Sequence, residues 1–185
     1  MVAPFYLVLI VSYFLIASGN TEVKALYAFK LNLVDPNGIL QTWDPTLINP
    51  CSWDHIECRT DNSAFLVRLG NANLTGVLAP QLGDLRNLHS LELYSNNFMG
   101  TMPYELGNLT KLVTLDLFLN NLTGPIPDTL GNLKKLRVFF AGNPGLTMPE
   151  AGSPPSLPFG NSATTAIAGG AASLCAAVAF ALAWW

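Results

Sequence analysis

Cys51 and Cys58 are the pair in this 185-residue chain whose type and spacing most directly imply a chemical bond. They are flanked by Asn49-Pro50 and Arg59, and in an oxidising compartment that spacing reads as a local disulfide. Closing so small a loop stabilises the folded chain by about 2.5 kcal/mol in the chain-entropy picture. A metal reading lacks ligands, because the sequence holds 2 His and no second cysteine pair follows. No Ser/His/Asp constellation and no glycine-rich phosphate loop is present, so neither an enzyme nor a cofactor site is expected. Three N-x-S/T sequons remain, at Asn73, Asn108 and Asn121, each spelling Asn-Leu-Thr. Asn73 and Asn121 belong to a repeated NLTG pattern, whereas Asn108 falls on the outer loop side and is the best glycan candidate of the three.

The elements that position these residues follow from a period of 24 between Val67 and Leu146. A shift by one period carries Leu91-Glu92-Leu93 onto Leu115-Asp116-Leu117. It also carries Asn96 onto Asn120, Gly100 onto Gly124, Pro103 onto Pro127, Leu106 onto Leu130 and Leu109 onto Leu133. One period earlier, Val67, Leu69, Gly76 and Leu82 take equivalent places. The pattern LxxLxLxxNxLxGxxPxxLGx is that of a leucine-rich repeat. Alternation sends Leu91 and Leu93 inward and Glu92 and Tyr94 outward. An inward Asn96 or Asn120 satisfies backbone groups that the coil would otherwise bury unpaired. Gly100 and Gly124 allow a tight bend, and Pro103 and Pro127 favour an extended or turn path over a helix. The expected fold is an α/β repeat, a short right-handed solenoid with a parallel sheet on its concave face and an N-terminal helical and disulfide cap.

Residues 1–19 hold an apolar run followed by Ala17-Ser18-Gly19 and read as a secretory signal peptide, with a signal anchor as the alternative. Residues 20–66 read as the cap. Asn20 or Thr21 starts a helix through Val34 with Ala25, Leu26, Phe29 and Leu33 on one stripe; Leu40, Trp43 and Trp53 add large apolar surface. About three and a half repeats fill 67–146, and a Pro/Ser/Gly-rich linker fills 147–165. The apolar tail 166–185 reads as a transmembrane segment or a glycolipid-anchor signal. Every Lys, Arg, Asp and Glu lies between Glu22 and Glu150, and the net charge of −3 is dispersed, which argues against a nucleic-acid partner.

Trp43-Asp44-Pro45-Thr46-Leu47, Asn49-Pro50-Cys51-Ser52-Trp53, Leu91-Glu92-Leu93-Tyr94-Ser95-Asn96-Asn97 and Gly124-Pro125-Ile126-Pro127-Asp128 resemble the ectodomain of plant somatic embryogenesis receptor kinases. The tail from Ala166 to Trp185 is similar to the membrane span of that family. The resemblance implies a co-receptor that pairs with a leucine-rich-repeat receptor kinase ectodomain around a steroid or peptide ligand. It also assigns ligand contact to the cap residues Asp54 and His55, although the family usually has a bulky aromatic at the Asp54 position. The departures expected from the family are the lack of a kinase domain and of a fifth repeat, a fourth repeat that decays after Phe139-Phe140-Ala141, and Thr147 where a cap cysteine would stand.

On the concave wall the 24-residue step stacks outward residues in columns. One column holds Arg68, Glu92, Asp116 and Phe140, and another holds Gly70, Tyr94, Phe118 and Gly142. Outward aromatics of this kind are typical binding anchors; the alternative is that Tyr94 and Phe118 stack on each other to shield the sheet. Arg68 beside Glu92 reads as a surface ion pair of small energetic weight. The functional expectation is a non-catalytic cell-surface protein, co-receptor-like or a decoy in receptor-kinase signalling. A secreted or glycolipid-anchored inhibitor of cell-wall hydrolases is the alternative.

Overall fold

The structure, a computed structural model, describes residues 20–147. The expected signal peptide, tail and most of the linker lie outside these residues. Helix α1 runs Thr21–Leu31, and the Asn20 carboxamide oxygen accepts from the Glu22 N–H at 2.8 Å to cap it. Val23, Ala25, Leu26 and Phe29 are buried along its inner side, and Phe29 stacks on Phe98 of a later coil with ring centres 5.8 Å apart.

The helix stops three residues before Val34, and the reason is local. Asn32 turns its side chain back to donate to the Ala28 carbonyl at 2.8 Å. Pro36 then disfavours helical geometry at Asp35, whose carboxylate instead accepts from the Ile39 and Leu40 N–H groups at 3.1 and 2.8 Å. Leu33–Val34 becomes strand β1, paired antiparallel with β4 (Thr75–Val77). Cys51 and Cys58 form the disulfide that their spacing suggested. Beside it the buried Trp43 and Trp53 rings stack with centres 5.3 Å apart.

The repeats lay down the expected concave sheet, in the order β2 (Ile56–Cys58), β3 (Ala64–Arg68), β5 (Ser90–Glu92), β7 (Thr114–Asp116), β9 (Val138–Phe140). All pairs are parallel except the cap strand β2 against β3. A second five-stranded sheet, absent from the sequence reading, takes β1, β4, β6 (Asn97–Gly100), β8 (Asn121–Pro125) and β10 (Gly145–Thr147). Its strands are short and four of the five contain glycine, so strand propensity alone does not announce them. They form because each coil is held in register over the one before. Short 3-10 turns at Pro80–Asp84, Tyr104–Asn108 and Asp128–Asn132 close each coil on the third side, after extended Ala79, Pro103 and Pro127. Gly83 and Gly107 permit close approach there, since a Cβ would sit 2.3 Å from the Glu105 carbonyl oxygen at the first and 2.4 Å from the Thr129 carbonyl oxygen at the second.

Buried asparagines stitch the coils together. Asn120 donates to the Leu93 and Leu117 carbonyls at 2.9 and 3.1 Å and accepts from the Phe98 N–H at 3.0 Å, so one amide ties two consecutive coils. Asn96 does the same for Leu69, Leu93 and Leu74, and Asn143 for Leu117, Ala141 and Leu122. The fourth coil therefore continues to Thr147 and does not decay after Ala141. Leu91, Leu93, Leu115, Leu117, Leu106 and Leu130 fill the space inside as the period predicts. We expect Asn120→Ala to destabilise the protein by about 3 kcal/mol, because it leaves several buried backbone groups unpaired. The exposed Asn97→Ala should cost little, and thermal unfolding of the two variants checks the difference.

Candidate functional site

Register places Arg68, Glu92, Asp116 and Phe140 at paired positions on strands β3, β5, β7 and β9, and Arg68, Glu92 and Asp116 form the first outward column. The cap extends it, because the His55 carbonyl accepts from the Arg68 N–H at 2.9 Å. His55 is exposed and holds a left-handed backbone (φ 68°) at the bend into β2. Asp54, also exposed, is fixed by its backbone: its carbonyl accepts from the Trp43 ring N–H at 2.9 Å, and its N–H donates to the Thr42 hydroxyl at 2.8 Å.

Beyond the strands the ladder runs on through the Asn71 N–H to Tyr94 O and Ser95 N–H to Phe118 O bonds, both 2.8 Å. This aligns Gly70, Tyr94 and Phe118 as the second column. Tyr94 lies over Gly70, where a Cβ would meet its ring at 2.3 Å. No aromatic pair joins Tyr94 to Phe118 among the described residues, so mutual stacking does not account for them. Tyr94 is 36% and Phe118 42% exposed. Leu119, 56% exposed, extends the apolar ledge from a left-handed position (φ 54°). The sequence reading missed Leu119, although its signal is visible: the equivalent places one and two periods earlier hold the polar Ser95 and Asn71, both also left-handed.

Charge on this wall is unevenly matched. Arg68 pairs with Glu57 at 3.1 Å and Glu92 at 3.3 Å, both at the surface and of little net energetic weight. Among the described residues neither ion pair reaches Asp116. Its Oδ1 accepts from the Phe118 N–H at 3.1 Å. Burial raises the Asp116 carboxyl above its ordinary value, and the neighbouring Glu92 adds to this, while the Phe118 N–H works in the other direction. A half-buried carboxylate flanked by Glu92 on one side and Phe118 two residues on presents negative charge at the foot of an aromatic ledge. The wall brings two exposed rings, an aliphatic neighbour and an acidic row onto one surface. The sequons lie elsewhere: Asn73 and Asn121 are exposed on the flank of the second sheet, and Asn108 is half-buried at the end of a 3-10 turn.

The chain is a leucine-rich-repeat protein with an N-terminal leucine-rich-repeat cap. Residues 19–59 match the leucine rich repeat N-terminal domain, and residues 87–109 and 111–133 each match the Leucine Rich Repeat. Among curated relatives it is 53% identical over 79 residues to "Leucine-rich repeat protein 1" of Arabidopsis thaliana, a match covering 43% of this chain and 36% of that one. The match thus spans about a third of that relative's length, and its name is not that of a somatic embryogenesis receptor kinase. Among solved structures, the BIR3–SERK2 complex from Arabidopsis thaliana has a chain 28% identical, with a TM-score of 0.60 over 67% of this chain and 68% of that one. The Arabidopsis receptor kinase HAESA in complex with the peptide hormone IDA and the co-receptor SERK1 has one 32% identical, with a TM-score of 0.61 over 70% of this chain and 22% of that one.

The raised Asp116 carboxyl has a pH consequence of definite sign. The folded state holds its proton more tightly than the unfolded chain, so ionisation costs stability as pH rises above the ordinary value of 3.8. Asp116→Asn keeps an acceptor for the Phe118 N–H and removes that cost. Its melting temperature should exceed wild type at pH 7, and the gap should close as pH falls below 4; thermal melts across pH 3–7 check it.

Proposed function

We propose that this chain is a non-catalytic extracellular binder that captures a leucine-rich-repeat receptor kinase ectodomain, alone or around a steroid or peptide ligand. In this reading it acts as a co-receptor-like or decoy regulator of plant receptor-kinase signalling. The observation that carries the proposal is the exposed Tyr94–Phe118–Leu119 ledge beside the Glu92–Asp116 row on the concave sheet. Buried aromatics at the centre of an interface supply most of its binding energy, and complementary charge sets approach and orientation. Support also comes from the solved relatives, whose described complexes include a peptide hormone with a co-receptor and a pair of named partners. His55 and Asp54 border the wall on the cap side and make the second contact region. Residues 1–19 serve as the secretion signal, and residues 166–185 hold the protein in the plasma membrane as a single span.

Binding of the secreted ectodomain to a panel of receptor ectodomains, with and without peptide and steroid ligands, tests this reading. Tyr94→Ala and Phe118→Ala should each weaken capture by more than about 1 kcal/mol, roughly fivefold in Kd, with secretion intact. Equal capture by wild type and the double variant rejects the surface. For the anchor, a phospholipase that cuts glycolipid anchors should leave the protein in intact membranes; its release contradicts the single span.

A further inference from the structure

The second sheet has an apolar strip on its outer face, and the sequence supplies something to cover it. Register pairs Val77 on β4 with Met99 on β6, and Met99 with Asn121 on β8. The three form one row across neighbouring strands and all face solvent, alternating with the buried Phe98 and Leu122. Val77 is 41% and Met99 43% exposed. Cross-strand neighbours on one face stand about 5 Å apart at Cβ, so whatever is attached to Asn121 begins one side chain away from Met99. Asn121 opens the sequon Asn121-Leu122-Thr123, and Thr123 is exposed on the same face. Asn73, of the sequon Asn73-Leu74-Thr75, is exposed just before β4. Asn108 is half-buried, where a bulky sugar has less room.

We propose that Asn121 carries an N-linked glycan whose first sugars lie over Met99 and Val77, that Asn73 carries a second glycan at the border of the same sheet, and that Asn108 is modified least. In the transfer, the Asn121 Nδ2 forms a bond to C1 of a lipid-diphosphate-linked oligosaccharide. The C1–O bond to the diphosphate breaks, the lipid diphosphate leaves with the electron pair, and Nδ2 gives up one proton. The carbon-bearing faces of the sugar rings then cover the methyl groups of Val77 and the thioether of Met99, while their hydroxyls face water. An uncovered apolar strip on an exposed sheet is an association liability, and a bulky solubilising group removes it. The glycans also leave the concave wall clear, because both sit on the flank formed by the second sheet.

The test uses the full chain produced in plant cells, with peptide mass mapping of all three sequons before and after enzymatic deglycosylation. Occupancy should be highest at Asn121 and lowest at Asn108. Asn121→Gln should raise binding of an apolar fluorescent dye at least about twofold, and Thr123→Ala, which keeps Asn121 but destroys the sequon, should raise it equally. Adding Val77→Thr and Met99→Thr to either variant should return the signal to that of the glycosylated protein. An unmodified Asn121, an occupancy at Asn108 above that at Asn121, or dye binding unchanged by both sequon variants overturns the proposal.

Discussion

A coil of about 24 residues must bury leucines from three sides at once, and in doing so it drags backbone carbonyls and N–H groups away from water. The inward asparagine is what makes that tolerable. Asn96, Asn120 and Asn143 are each buried, and each spends both amide hydrogens and its oxygen on backbone groups of its own coil and the preceding one. A buried polar group without partners costs more than a hydrogen bond contributes, so this placement constrains everything around it. Because each amide reaches backward across the stack, it also fixes the translational step between coils. The concave sheet, the second sheet and the 3-10 turns are three consequences of that one step.

Much of this was legible in the residues. The LxL alternation marks the concave strands, and the 24-residue shift alone puts Arg68, Glu92 and Asp116 in one row, as the register has them. The disulfide follows from cysteine spacing read for an oxidising compartment, and the apolar stripe Ala25, Leu26, Phe29 from helical periodicity. The second sheet was not legible, because Thr75–Val77 or Asn97–Gly100 carry no period of their own and pair only after stacking has aligned them. Leu33–Val34 read as the last turn of α1 for a related reason. Helical periodicity continued through it, but Asn32 bonds back to Ala28 and the free edge of β4 offers a ladder instead.

The same stacking explains why the candidate site looks as it does. Side chains that point outward from parallel strands meet their counterparts one coil away, so like residues in successive repeats become neighbours. Glu92 and Asp116 are brought together in this way, and burial with repulsion raises the Asp116 carboxyl. Tyr94 can settle on Gly70 only because glycine leaves that space open. Phe118 and Leu119, one coil further on, remain exposed. The wall therefore grades from an ion-paired edge at Arg68 to an apolar, acidic centre, a gradient that no single repeat contains.

The claim that a partner seats on this wall is tested most directly by placing a photo-reactive side chain at one position at a time and mapping what it captures on plant membranes. Position 118 lies on the concave ledge, and position 104 carries Tyr104, a more exposed aromatic on the 3-10 side of the coil. The account predicts cross-links from position 118 to a leucine-rich-repeat receptor ectodomain and none from position 104. Capture from position 104 with none from position 118 would contradict it.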